Sequence, residues 1–397
     1  MRTKIITAVF ALFLVQNATA DNFNDILTEI SGNNYELRTI ESEYNAASED
    51  IKSTNNLGST NFDFEYHFGD KNVGNKYGFG ISQSIDWPGL YYSRNKAINA
   101  QISALEYVAQ NKQLELLVSA QNICLEIINL NKQIVLKSRI EEDMARMKTL
   151  YMKGFEQGEI SILDVNKLKI ELLNIKQAKN ALVRQRAALV ENLKALNGKK
   201  SIEKSRILSM SEYPEFEILP LQEYITTLAS VDPEYKYYSS MAEAGKRNVS
   251  VAQRQWYPSF NIGYKFFNEL GVKFNGIFAG ISIPIFSNRN KVASAKATQI
   301  AYNFSEQTMI VSKNAKISAS YVQIQSLEEQ IKGYNDALED GNNIKVLKKA
   351  LKGGQITLLE YLTELKYFIE AETNLLNLEF EYNSILADLN KYKLLNL

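Results

Sequence analysis

From Gly158 to Gly198 the chain reads GEISILDVNKLKIELLNIKQAKNALVRQRAALVENLKALNG. Within it Leu168, Leu172, Ile175, Leu182, Leu189, Leu193 and Leu196 recur at spacings of four, three and seven. That places them on one seam of a long helix, entered through a glycine turn. The pattern is written twice. At an offset of 196, GQITLLEYLTELKYFIEAETNLLNLEFEYNSILADLNKYK begins at Gly354 and pairs Ile160 with Ile356, Ser161 with Thr357, Leu163 with Leu359 and Asp164 with Glu360. The same offset maps the seam onto Glu364, Phe368, Ala371, Leu378, Ile385, Leu389 and Tyr392, so it is expected to persist with one polar exception. A long helix entered through a glycine turn and repeated is half of a helical hairpin.

The other halves lie upstream. Leu90 to Lys153 holds neither Gly nor Pro, and as one helix its length would be about 95 Å. It runs into the turn YMKGFEQG, residues 151–158. In the second copy a long helix follows Arg289-Asn290-Lys291, an echo of Arg94-Asn95-Lys96. Loosened by Gly333 and Gly341, it reaches Lys352-Gly353-Gly354.

Ahead of each long helix the period changes to two. In NFDFEYHF (61–68) every even position is aromatic, Phe62, Phe64, Tyr66 and Phe68, while Asp63, Glu65 and His67 face the other way. Tyr77, Phe79, Ile81, Ile85 and Trp87 then alternate with Gly78, Gly80, Ser82, Ser84 and Asp86. Phe260, Ile262, Tyr264 and Phe266 repeat the first strand and residues 276–285 the second. Two hairpins are expected, at 61–87 and 260–286, each with one apolar face and one small or polar face.

Residues 1–20 carry Arg2 and Lys4, an apolar run, and Ala18-Thr19-Ala20, which reads as a cleaved signal peptide. The mature chain divides into a first repeat, 21–198, a linker, 199–230, and a second repeat, 231–397, with helical hairpins at 90–198 and 288–397. The first repeat opens with a helical stretch to Asn56, broken at Ser31–Asn34. The linker holds Pro214 and Pro220 and at most one short helix, Leu221 to Ala229.

Forty-five basic and 45 acidic residues balance, so nothing points to nucleic acid. With one Cys and one His there is little to build a metal, cofactor or catalytic site from, and none is expected. Cys124 falls mid-helix as a packing residue, and His67 is expected as a solvated group on the polar face.

Strands with an apolar face, after a signal peptide, point to an outer-membrane barrel, with Trp87, Trp256 and Tyr257 at strand–helix junctions as its interface aromatics. Four strands cannot close, because an open edge in lipid leaves backbone groups unsatisfied at several kcal/mol each. The subunit is therefore expected to trimerise. The competing reading is a periplasmic coiled-coil scaffold or adhesin-like protein that transports nothing.

Over nearly the whole mature chain this pattern resembles the TolC-type outer-membrane efflux proteins, through its two tip motifs, GEISILDV (158–165) and GQITLLEY (354–361), and the Trp-Pro and Trp-Tyr-Pro flanks of the hairpins. The resemblance implies an α+β membrane protein: a homotrimer with a shared 12-stranded barrel in the outer membrane and long antiparallel helices forming a periplasmic α-barrel. It also implies an equatorial belt built from the linker and the chain ends. Such a conduit has a periplasmic adaptor and an inner-membrane pump as partners and no chemistry of its own. Carried over residue by residue, Asp164 and Glu360 take the acidic aperture position of each tip. Thr363 replaces a second aperture acid, with Glu364 one step on, and Gly154, Gly158, Gly353 and Gly354 mark the adaptor-docking tips. The clamp positions of the closed tip fall at Leu351 and Ile356, so that lock is missing. The first tip looks about one helical turn longer than usual.

Overall fold

The computed structural model describes residues 23–71, 74–339 and 343–397; the signal-peptide segment and Gly341 lie outside these. The chain forms two compact units. One comprises residues 39–112 and 226–314, the other residues up to Arg38, 113–225 and 315–397.

The first unit holds a four-stranded antiparallel sheet of β1 (Thr60–His67), β2 (Lys76–Ile85), β3 (Ser259–Glu269) and β4 (Val272–Ser282), in sequence order. The two hairpins are joined edge to edge by β2–β3 pairing. Register places Phe62, Ile81, Tyr264 and Ile277 in one row across all four strands. Phe79 stacks on Phe266 in the next, with ring centroids 5.0 Å apart. This face is bare: Phe62, Phe64 and Ile277 are 78%, 73% and 83% exposed.

The opposite face corrects the sequence expectation. It carries Asp63, Glu65, Gly78, Gly80 and Lys265, but also Phe267, Phe274 and Phe278. Two of these rings occupy the space above glycines: a Cβ on Gly78 or Gly263 would stand 2.5 Å from the ring of Phe267 or Phe278. Lys265 lies by both rings, 5.9 and 5.6 Å from their centroids, and pairs with Glu65 at 3.5 Å.

The strands also stop short of the expected hairpin ends. The second hairpin turns tightly at Leu270-Gly271, both with positive φ (53° and 82°), so β4 starts at Val272 rather than Gly276. It closes at Ser282, before Pro284, which has no N–H to extend a ladder.

Helices α1 (23–33) and α2 (Tyr35–Ser53) are separated by Asn34 alone. Its side-chain oxygen accepts from the backbone N–H of Glu36 (2.7 Å) and Leu37 (3.0 Å), capping α2. Helix α3 (Pro88–Glu156) is unbroken over 69 residues. It begins at Pro88 rather than Leu90, since proline suits a first helical turn, and it passes through Gly154. It contributes residues to both units, as does α6 (Leu221–Val231). Beyond α4 (Ile162–Leu196), the linker holds an additional helix, α5 (Lys204–Ser209). Helix α7 (Pro233–Arg254) starts at Asp232, whose carboxylate accepts from Glu234 N–H at 2.8 Å and pairs with Lys313 of α8 (Lys291–Glu339) at 2.9 Å. Gly333 stays inside α8, and α9 (Asn343–Lys352) leads to α10 (Leu358–Asn390) and a terminal 3-10 turn, Lys391–Asn396.

The second unit has two apolar cores. In one, Leu117, Leu125 and Ile128 of α3 pack with Phe23, Ile26 and Ile30 of α1, Ile207 and Met210 of the linker, and Ala387 and Leu394 near the C-terminus. The linker, α1 and the C-terminal segment thus meet on α3. Asn131 fixes the linker, donating to the carbonyls of Ile207 (2.8 Å) and Met210 (2.9 Å) while accepting from Arg186 (2.6 Å). Cys124 is fully buried here, its thiol pushed up to about 12 by burial.

The other core joins Leu136, Ile140 and Met144 of α3 to Leu168, Leu172 and Ile175 of α4 and to Leu358, Tyr361, Leu362 and Leu365 of α10. The seam of α4 is therefore turned inward as its spacing requires, with Leu168, Leu172, Ile175 and Leu193 buried and Leu182, Leu189 and Leu196 half-buried. On α10 it is shifted: Glu364, the counterpart of Leu168, is exposed, and Leu365 is buried beside Tyr361. One residue of rotation moves a side chain by about 100° around a helix, which turns the polar exception out to solvent.

Candidate functional site

The tip turns of the second unit are two copies of one backbone device. At the end of α3, Gly158 (φ 77°) donates to the Phe155 carbonyl (3.0 Å) and Glu159 to that of Gly154 (2.8 Å). At the end of α9, Gly354 (φ 67°) donates to Leu351 (3.2 Å) and Gln355 to Ala350 (2.9 Å). These are the two bonds of a Schellman motif, and the left-handed residue at their centre favours glycine. The turns between the helices are equally long in the two copies; Gly154 lies within α3, where a Cβ would stand 2.6 Å from the side chain of Ile160.

The next residues differ between copies. Ser161 caps α4 by accepting from Leu163 N–H (3.1 Å), and Asp164 accepts instead from Lys167 (3.1 Å). Thr357 caps α10 reciprocally: Glu360 N–H donates to Thr357 Oγ1 (3.2 Å), while Glu360 Oε2 accepts from Thr357 N–H (2.7 Å) and hydroxyl (2.9 Å). These bonds, the backbone one first, hold the Glu360 carboxyl below the usual range. Thr363 spends its hydroxyl on the Leu359 carbonyl (2.9 Å), and Glu364 faces solvent. Of the four predicted aperture residues, Asp164 and Glu360 thus occupy the first turns of α4 and α10, and Thr363 and Glu364 the second turn of α10. Leu351 and Ile356 are partly buried against the core there and carry no polar lock.

Sequence reasoning missed a polar crossing beside that core. Asp143 of α3 accepts from Arg146 (2.6 Å) and from Lys348 of α9. Burial raises the Asp143 carboxyl, but the two cations outweigh it and leave it below the usual range. Nearby, Tyr361 is fully buried and its hydroxyl finds no partner among the described residues; burial pushes it up to about 12. Asp143 lies outside both tip motifs, and its partner is some 200 residues away, so only a three-dimensional arrangement could reveal it.

In the sheet-bearing unit, Trp87 stacks on Tyr257 at 5.6 Å and lies 6.1 Å from Phe260, while Trp256 is separately exposed. Arg254 donates to the Gly89 carbonyl (2.8 Å), tying the two strand–helix junctions together. Among the described residues no cluster of His, Cys, Asp or Glu could hold a metal ion, and no helix is long and apolar enough to cross a membrane.

An edge-open four-stranded sheet with one apolar face, joined in the chain to paired helical hairpins, is the fold of the TolC-type outer-membrane channels. Among solved structures the chain is similar to the outer-membrane channel OprN (16% identity, TM-score 0.78, 94% of this chain and 90% of that one). It is likewise similar to the CmeC outer-membrane channel of Campylobacter jejuni (16%, 0.75, 94% and 85%) and to the outer membrane protein VceC of Vibrio cholerae (15%, 0.74, 94% and 95%). No protein-family model and no curated protein sequence matches it.

Proposed function

We propose that the chain is a passive exit duct in a bacterial outer membrane, receiving solutes from an inner-membrane pump through a periplasmic adaptor. The observation that carries this is the sheet: among the described residues nothing covers its apolar face, and its two outer strands, β1 and β4, have no further partner. Lipid satisfies the face but not the edges. Three copies would supply about twelve strands, enough to close a barrel with a water-filled lumen. Trp87, Trp256 and Tyr257 would then sit at the membrane interface. Asp164, Glu360 and Glu364, with Thr363, would line the periplasmic aperture, where converging carboxylates favour cations and resist anions. The glycine turns would present the tips to the adaptor.

Membrane fractionation and gel migration test this directly. A duct is extracted with outer membranes by detergent and runs as a trimer that heating converts to monomer. Release as a soluble species with the periplasm would overturn the proposal and leave the scaffold.

A further inference from the structure

Where the sheet meets its helices the chain carries bases and no acids. Residues 87–105, 244–257 and 286–305, which lead from β2 into α3, along α7 toward β3 and from β4 into α8, hold eight Lys and Arg and no Asp or Glu. Two of the eight answer acids just outside these stretches, Arg94 with Asp86 (2.7 Å) and Arg247 with Glu243 (2.6 Å). Among the described residues the other six pair with no carboxylate. Three of the eight gather about one exposed side chain. Lys96 Nζ stands 4.5 Å from the ring centroid of Tyr92, which is 58% exposed. A Cβ on Gly89 would lie 3.3 Å from Arg254 Nη1 and 3.1 Å from the indole nitrogen of Trp87, so guanidinium and indole flank the same glycine. Arg247 precedes Arg254 by two turns on one face of α7. The Tyr92 phenol is held below its ordinary range, first by the hydrogen bond that Lys96 donates and then by the charges of Lys96, Arg254 and Arg247.

We infer that Lys96, Arg247 and Arg254, with the Tyr92 hydroxyl, bind the phosphate headgroup of an anionic phospholipid in the leaflet nearer the helices. Trp87 and Tyr257 mark the level, since stacked amphipathic rings settle where headgroups meet acyl chains. A guanidinium fork suits phosphate oxygens, and an ammonium adds a point charge beside it. The missing acids decide between headgroups. A zwitterionic lipid brings an ammonium of its own, and the carboxylates at hand, Asp86 and Glu243, are already paired. An anionic glycerol headgroup brings only the charge that the site answers. The inference rests on the proposed duct, because the collar lies at a membrane surface only if the sheet lies in the bilayer.

Trp87 reports on the site. In full-length protein carrying Trp256→Phe it is the only indole, and its fluorescence is measured in phosphatidylethanolamine vesicles doped with dibrominated phosphatidylglycerol or, at the same mole fraction, dibrominated phosphatidylethanolamine. The brominated phosphatidylglycerol should associate at least about fivefold more strongly, as judged by quenching, and the preference should shrink as salt rises from about 0.1 to about 1 M. The K96Q/R254Q variant should lose it. Because Arg254 also holds the Gly89 carbonyl, Lys96→Gln alone, at an exposed position, is the second variant and should lower the preference at least about twofold. Equal quenching by the two lipids in protein with Lys96 and Arg254 intact, or a preference unchanged in both variants, would overturn the inference. So would its loss on adding soluble glycerophosphate, which would make free phosphate the ligand. The duct fails separately: no quenching by either lipid would mean that this end of the sheet meets no bilayer, whereas equal quenching sinks only the headgroup site.

Discussion

The Glu360 carboxylate accepts the backbone N–H of Thr357 at 2.7 Å, whereas Asp164, its counterpart 196 residues earlier, reaches forward to Lys167 at 3.1 Å. One methylene decides the difference. A glutamate at the third helical position is long enough to return to the cap residue and complete a capping box, and an aspartate is not. The two acids that the repeat equates are therefore not equal: Glu360 holds its helix start together, and Asp164 is tethered only by a lysine on its own helix.

That asymmetry predicts different responses to substitution. Thr357→Ala removes the cap of α10 and should cost about 1 kcal/mol, seen as a lower thermal midpoint. Glu360→Gln can still accept the cap bonds and should be far milder than Glu360→Ala, while Asp164→Asn should leave the midpoint nearly unchanged. Because the Glu360 carboxyl is held below the usual range, its contribution is present above the ordinary carboxylate pKa and fades as pH falls through the lowered value. The wild-type advantage over Glu360→Gln should therefore shrink on acidification. Thermal melts at two pH values check this, and an advantage that grows in acid would contradict it.

The glycine turns make a second prediction. Gly158→Ala and Gly354→Ala each force a side chain into the left-handed region and should each cost about 1 kcal/mol. Gly276→Ala, at a β4 position with open space beside it, has no such penalty. Denaturant midpoints of the three variants should separate accordingly.

A third concerns Asp232. Its side chain is fully buried, caps α7 and faces Lys313, which Glu234 also engages at 2.7 Å. Asp232→Ala would remove the cap of α7 and leave the largely buried Lys313 ammonium with Glu234 alone, and should destabilise by about 2 kcal/mol, with Asp232→Asn milder because it keeps the cap. Burial lowers the Lys313 pKa, but the two carboxylates outweigh it and raise it overall. Lys313's contribution is then complete below its unfolded value and is lost as pH rises through the raised one, so this pair should weaken on the alkaline side. Urea titrations at neutral and alkaline pH measure it.

How much of this was legible depended on whether a signal was local. Period-two runs such as Phe62, Phe64 and Tyr66 announce strands because neighbours along the chain alternate faces. The Gly158 and Gly354 turns were legible because a left-handed residue favours one amino acid. The phenylalanines of the polar face were not. Phe267 is consecutive with Phe266, so alternation alone leaves its face ambiguous, and the space it occupies belongs to Gly78 on another strand. Near the tip the seam of α10 was misplaced for a related reason. An offset of 196 carries Leu168 to Glu364, but packing buries Tyr361 and Leu365, a choice made by α3 and α4 rather than by α10 itself. The Asp143–Lys348 crossing was invisible because neither residue belongs to a repeated motif.

Whether these chains enclose a water-filled path with an acidic periplasmic end is decided by single-channel conductance of detergent-purified protein in planar bilayers. The wild type should give a small, cation-selective conductance. Cation selectivity should weaken when Asp164→Asn, Glu360→Gln and Glu364→Gln are combined, since these remove the charge and leave the α10 cap able to form. Wild-type protein that forms no channel, or one whose selectivity ignores all three substitutions, would contradict it.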